Sequence, residues 1–262
     1  MTQGSREIIH SVRAAGTDNG KDSRNHFKYW TSIGRGYSPT HEYMVMFPWK
    51  DGTPFDWEKT KAEGKLDEMF MKGDPSKNPE LTRDPRMYEE IIVNGQPAAL
   101  NSVNGNMSGD PSESWLFGYN AGQNPNEQKG SYSTGYAPIK YVCGSDFIRK
   151  YTQWVTLRLS DLYLVYAEAL LQANNDFQGA LEQINIVRNR VGLGKIETYN
   201  PDKNLTSNKA NLLEEILRER ACELGMEDAR FFDLLRYKRK DIFEKQIHEV
   251  VMHRLDENDN IE

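Results

Sequence analysis

From about residue 150 onwards, apolar residues recur at spacings of three and four, the pattern that lines one face of a helix. Leu159, Leu162, Tyr163, Tyr166, Ala167, Leu170 and Leu171 form the first stripe. Asn174-Asn175 ends it, and Asp176 is placed to cap the next helix. That second stripe reads Phe177, Ala180, Leu181, Ile184, Val187 and Val191, and stops at Gly192, a residue suited to a helix C-terminus. Two helices joined by so short a polar turn predict an antiparallel hairpin. Ala167 and Ala180 are small residues where the two would cross. One hairpin of tetratricopeptide type is not an array, so it must pack on something else. Beyond Pro201 a third stripe (Leu212, Leu213, Ile216, Leu217, Ala221, Leu224) runs up to Gly225. A fourth helix is expected from Glu227 and Asp228 to Lys238, Arg239 and Lys240, an order of charge that complements the helix dipole. Its apolar residues are Phe231, Phe232, Leu234 and Leu235. The tail starts helically after Lys240 and frays in the polar run from Asp256 to Asn260.

The first 150 residues read differently. Gly, Pro, Asn, Asp and Ser are dense there, and clusters such as Lys72-Gly73-Asp74-Pro75 and Asn104-Gly105-Asn106 mark turns. Short apolar runs at 88–93, before Asn94-Gly95, and at 139–142 predict strands. Residues 40–47 predict a short helix that stops before Pro48. The fold class is therefore mainly α, a helical hairpin plus two further helices, with long loops and a few short strands. Residues 1–150 form a loop-rich, aromatic-bearing region and 151–262 a helical one, expected to pack as one compact unit.

Charge and composition narrow the function. The net charge of −6 lacks the basic footprint of a nucleic-acid binder. There is no run of eighteen apolar residues, so no membrane-spanning helix is expected. The stretch MTQGSREIIH lacks the layout of a signal peptide and has no lipobox cysteine, so an export signal or lipid anchor is expected outside this sequence. Cys143 and Cys222 show no metal-binding spacing and read as two free thiols. His10, His26, His41, His248 and His253 form no metal motif. Asp256, Asn258 and Asn260 mimic the start of a calcium loop, but Ile261 stands where glycine is required. Nucleophile-elbow, P-loop and dinucleotide motifs are absent. No cofactor, metal or catalytic residue is assigned.

Charged residues on the later helices also repeat at three and four: Glu219, Arg220, Glu223, Glu227, Arg230, Asp233 and Arg236. With Arg158, Asp161, Glu168, Asn185 and Arg188 they predict an ion-pair network that locks the helices. Its place in regular helices argues against acid–base catalysis, since sites more often sit on loops. Tyr163, Tyr166, Phe177, Phe231 and Phe232 are assigned to the core, as is Trp154.

Three segments carry a family resemblance. LRLSDLYLVYAEA at 157–169, INIVRNRVGL at 184–193 and ILRERACELGMEDARFFDLLR at 216–236 resemble, in order and distance, the hallmark segments of the SusD/RagB family. Ser38-Pro39-Thr40 with Phe47 and Asp51-Gly52, Asp84-Pro85-Arg86, and Gly135-Tyr136 through Lys140-Tyr141 resemble its upstream motifs. The family's N-terminal helical repeats and its final proline-rich segment have no counterpart here. The resemblance implies a non-enzymatic protein of the Bacteroidetes outer-membrane surface that captures oligosaccharides and sits on a SusC-like TonB-dependent transporter. It would touch the membrane only through a lipid anchor. Some members are associated with peptides, and a structural adaptor without ligand contact is a further alternative.

A sugar ring offers an apolar C–H face that stacks on an aromatic side chain, while its hydroxyls take polar partners. The loop-rich half holds Trp30, Tyr37, Tyr43, Trp49, Trp57, Trp115, Tyr119, Tyr132 and Tyr136. From these, Trp30, Tyr37, Trp49, Trp57, Trp115 and Tyr119 are the candidate glycan contacts. Trp30 and Tyr37 come first because they flank the loop before Pro39-Thr40, a region that lines the ligand face in members of the family.

Overall fold

The computed structural model describes residues 5–14, 38–73, 79–93, 134–138, 140 and 152–250. Three two-stranded antiparallel ladders tie distant parts of the chain together. Strand β1 (Ile8–Ala14) pairs with β6 (Thr152–Arg158), β2 (Met71–Lys72) with β3 (Glu80–Leu81), and β4 (Ile91–Ile92) with β5 (Ala137–Pro138). The helices are α1 (His41–Met46), α2 (Trp57–Ala62), α3 (Pro85–Glu90), α4 (Leu159–Asn174), α5 (Phe177–Arg190), α6 (Ile196–Tyr199), α7 (Lys209–Glu223), α8 (Ala229–Arg236) and α9 (Lys240–Phe243).

The predicted hairpin is α4 and α5. Asn175 adopts the left-handed conformation (φ 51°) and its N–H returns to the carbonyls of Leu170 and Leu171, closing α4. Asp176 then caps α5 by accepting from Gly179 N–H at 2.8 Å. Ala167 and Ala180 are both fully buried in the core that these helices share with α7. That core holds Leu164, Leu171, Leu181, Ile184, Val187, Leu212 and Ile216. The third stripe forms α7, capped by Asn208, and the expected helix at 40–47 forms α1, capped by Thr40 and ending before Pro48.

Several expectations are corrected. Residues 88–90 of the predicted strand at 88–93 are helical, as the end of α3, because Asp84 caps and Pro85 pre-sets its first turn. Only Ile91–Ile92 is strand. The strand expected at 139–142 lies almost wholly outside the described residues. The hallmark segment begins as strand β6, and its partner β1 was not anticipated; Ile8 pairs with Arg158 across 150 residues of sequence. The buried face of α4 is Ser160, Leu164, Ala167 and Leu171, while Leu159, Leu162 and Tyr166 are exposed. Phe231 and Phe232 on α8 are also exposed, and Trp154 is 36% exposed rather than core. On α4 apolar residues run around much of the circumference, so spacing alone admits more than one face; α8 instead has one apolar face, Phe231, Phe232 and Leu235, and turns it outward. Packing against α5 and α7 selects Leu164 on α4, and α8 turns Asp233 and Leu234 inward.

A second core forms in the loop-rich half around Met44, Phe47, Met87, Tyr88, Ile91 and Tyr136. Cys222 of α7 and Val250 of the tail belong to it. Burial pushes the Cys222 thiol well up, so it is inert at neutral pH; Cys143 lies outside the described residues. Gly225, in the turn after α7, lets this core close on the helices, because a Cβ there would lie 1.7 Å from the Tyr43 hydroxyl oxygen.

Between the two cores runs the ion-pair network. Fully buried Glu219 faces Arg86 at 2.7 Å and Arg188 at 3.0 Å. Its Oε1 meets Arg86 without an aligned hydrogen bond, so that contact is Coulombic. Glu223 takes Arg86 (3.0 Å), Arg158 (2.5 Å) and Arg190 (2.6 Å). Arg220 joins Asp161 and Asp233, both at 2.8 Å, and Arg236 joins Glu168 and Asp233. Arg230 is corrected out of this set. Asp233 is already taken by Arg220 and Arg236. The guanidinium of Arg230 makes one long hydrogen bond, 3.4 Å to the Leu217 carbonyl, and no ion pair among the described residues.

Candidate functional site

Pro48 ends α1 by holding Phe47 extended (φ −71°, ψ 130°), and the chain enters a tight turn. Trp49 N–H donates to the Thr53 carbonyl at 2.8 Å, and Gly52 N–H donates to the Trp49 carbonyl at 2.8 Å. Gly52 sits at φ +105°, where a side chain would be strained and a Cβ would lie 2.8 Å from Arg188 Nη2. Asp51 accepts from the Thr53 N–H and hydroxyl at 2.8 and 3.0 Å, which fixes the turn. Asp56 caps α2, accepting from Lys59 N–H at 2.7 Å. The β2–β3 ladder stands opposite.

Between α2 and that ladder lies a groove of about 590 Å³, within the range of small-ligand sites. Trp49 lines it, beside Pro54 and Thr82. The charged lining alternates in sign: Lys50, Lys59, Lys65 and Lys72 with Asp51, Asp56, Glu63, Glu68 and Glu80. Behind the indole lies Arg83, 1% exposed. Its guanidinium carbon is 5.6 Å from the Trp49 ring centroid and 3.7 Å from that of Phe55. It donates to the carbonyls of Met44 (2.9 Å), Phe47 (2.5 Å) and Pro48 (3.3 Å). Burial lowers its pKa to about 10, which leaves it charged at neutral pH. The indole is thus held from behind by a fixed cation and from the side by Phe55, whose centroid is 5.3 Å away. An aromatic face with mixed donors and acceptors is an arrangement that can hold a polyhydroxylated ring.

Of the six candidate contacts, Trp49 lines the groove. Trp57 does not: its ring meets His41 edge-on at 4.7 Å and packs against the second core. Trp30, Tyr37, Trp115 and Tyr119 lie outside the described residues. Tyr136 is buried and hydrogen-bonded to His41 Nδ1 at 2.9 Å, and the Tyr43 hydroxyl donates to Glu90 and to the Ala221 carbonyl. The charged lining was missed because exposed Lys and Glu carry no periodic signal. The Asp51-Gly52 turn and the Asp56 cap on either side of Pro54 were the readable hints.

Glu90 is pushed upward, to about 7, by burial against the attraction of Lys140 at 2.8 Å. It is absent from the groove lining. The described residues contain no cluster of His, Cys, Asp and Glu suited to a metal ion, and no helix long and apolar enough to cross a membrane.

No curated protein matches the chain. Two solved structures from Bacteroides fragilis share its fold. A SusD-like protein is 25% identical, with a TM-score of 0.55 over 89% of this chain and 44% of its own. A SusD-like carbohydrate binding protein is 24% identical, with a TM-score of 0.58 over 92% of this chain and 44% of its own. The chain thus spans less than half the length of these relatives. The SusD family model matches residues 7–262, the helical hallmark segments and the Trp49 turn included. The chain belongs to the SusD family.

Proposed function

We propose that the chain is the glycan-capturing part of a non-enzymatic cell-surface protein. In this reading it sits on a SusC-like TonB-dependent transporter in a nutrient uptake system. A lipid outside these residues holds it at the outer membrane. Residues 1–150 carry the ligand-facing surface and 151–262 the helical base. The observation that carries the reading is the Trp49 groove, where a rigidly backed indole lies among alternating ammonium and carboxylate groups. The family membership and a structural relative described as carbohydrate binding point the same way.

Calorimetric titration against a panel of soluble glycans tests it. Trp49→Ala is expected to weaken binding by roughly 5- to 150-fold, the equivalent of about 1–3 kcal/mol for a stacked ring, with no release of reducing ends from any glycan. Glycan binding untouched by Trp49→Ala moves the site to Trp30, Tyr37, Trp115 or Tyr119. Binding of peptides in place of glycans overturns the reading in favour of a RagB-like role.

A further inference from the structure

The groove's charges bear on which saccharides it holds, an inference that rests on the glycan-binding reading above. We propose that the groove beside Trp49 takes neutral, polyhydroxylated chains and rejects chains that carry uronate or sulfate. Holding an anionic saccharide takes free cations, most effectively arginine forks that meet an acid group with two parallel hydrogen bonds. Among the described residues no arginine lines this groove. Three of its four lysines already face a carboxylate: Lys50 and Glu80 at 3.5 Å, Lys65 and Glu63 at 2.7 Å, Lys72 and Glu68 at 3.1 Å. The other two carboxylates, Asp51 and Asp56, are fixed by backbone N–H donors. Among the described lining residues, four lysines against five carboxylates leave the groove one unit negative, in a chain of net charge −6.

Each exposed pair contributes little stability, so selection does not come from the strength of any one of them. It comes from the sign of the summed field, which opposes an approaching polyanion, and from the missing fork. A neutral ring meets neither obstacle. Its hydroxyls find both donors and acceptors in the alternating lining, and its C–H face finds the indole.

Affinity electrophoresis of the full 262-residue chain separates the possibilities. Gels contain soluble starch, xyloglucan or galactomannan as neutral chains, or polygalacturonate, alginate or chondroitin sulfate as polyanions, each read against a gel without polysaccharide. Retardation is expected in at least one neutral gel, lost in Trp49→Ala, with none in the polyanion gels. The variant Glu63→Gln/Glu68→Gln/Glu80→Gln changes only exposed side chains and turns the lining two units positive. It should gain Trp49-dependent retardation by a polyanion, abolished at ~0.5 M salt. Trp49-dependent retardation of the unaltered chain by a polyanion overturns the charge selection and leaves the glycan-binding reading standing. A triple variant that gains nothing overturns the role given to these three carboxylates. No retardation in any of the six gels overturns the glycan-binding reading, and this inference with it.

Discussion

The helical half, residues 159–223, and the loop-rich half, residues 38–93, bury their backbones by different means. In α4, α5 and α7 the carbonyls are satisfied within each helix, so one apolar stripe per helix suffices for a core. In the loop-rich half α1 is six residues long, and its last carbonyls have no helical partner. Arg83 supplies the donors instead, reaching Met44, Phe47 and Pro48 from one buried side chain. A guanidinium, with five donors in a rigid fork, can serve several carbonyls of an irregular loop at once. The comparison teaches that a single buried cation can replace a stretch of regular structure, and that here it also fixes the ring offered to the groove.

The two halves meet at the network around Glu219 and Glu223, and the largest predicted effect lies there. Arg86→Ala leaves Asp84 without its 2.6 Å partner and takes one cation each from Glu219 and Glu223. Removing one member of a buried ion pair costs about 3–5 kcal/mol. Urea denaturation is expected to show that loss in its midpoint. A midpoint unchanged from the parent would mean that the halves are held together by their apolar contacts alone.

The second prediction uses pH to separate two buried glutamates. Glu90 is raised from 4.5 to about 7, chiefly by burial. Between those values the unfolded chain has released a proton that the folded chain keeps, so this group makes stability fall as pH rises from ~4.5 to ~7. The span corresponds to at most about 3 kcal/mol. Glu223 behaves oppositely. Its carboxyl is burdened by burial but held down to about 2 by Arg86, Arg158 and Arg190. Its contribution is full above ~4.5 and is lost as pH falls towards 2. Glu90→Gln should therefore gain stability relative to the parent as pH rises from 5 to 7.5, in urea midpoints taken at both values, while the acid limb persists. A constant difference between the two proteins would show that Lys140 keeps Glu90 ionised throughout.

A smaller effect is expected at Arg230. With one long hydrogen bond to the Leu217 carbonyl, Arg230→Ala should cost about 0.5–1.5 kcal/mol, well short of Arg86→Ala. A loss equal to that of Arg86→Ala would place Arg230 inside the network after all.

How much of this was legible follows the same division. The hairpin, its Asp176 cap, α1 with its stop at Pro48, and most of the helical residues of the charged network, though not Arg230 or Asn185, could be read because each rests on local spacing. The partners within the network could not. Arg86 lies 133 positions from Glu219, and nothing local links them. Strand β1 was invisible for the same reason, since its ladder joins positions about 150 apart. In the site, Trp49 was readable as a loop indole, but nothing local marked Arg83, whose partners lie about 35–39 positions away. The exposed lysines and glutamates of the groove, which have no period, were not readable at all.

The smallest effect is predicted for Tyr166→Ala on α4, where periodicity chose the wrong face, read against Leu164→Ala on the same helix. Tyr166 belongs to the stripe expected to be buried and Leu164 does not, yet Leu164 is fully buried and Tyr166 is 54% exposed. The two are two positions apart, so a helix turns them to different sides. Leu164→Ala should open a cavity among Ala167, Leu171, Leu181 and Ile184 and cost about 2–5 kcal/mol. Tyr166→Ala removes a side chain that is largely in water and introduces a better helix former. Its stability should stay within about 0.5 kcal/mol of the parent. Paired melting curves decide the matter. If Tyr166→Ala loses as much as Leu164→Ala, the face of α4 that carries Leu162, Val165 and Tyr166 is packed in solution, and the rule that local spacing is trusted only where one face is apolar loses its best example here.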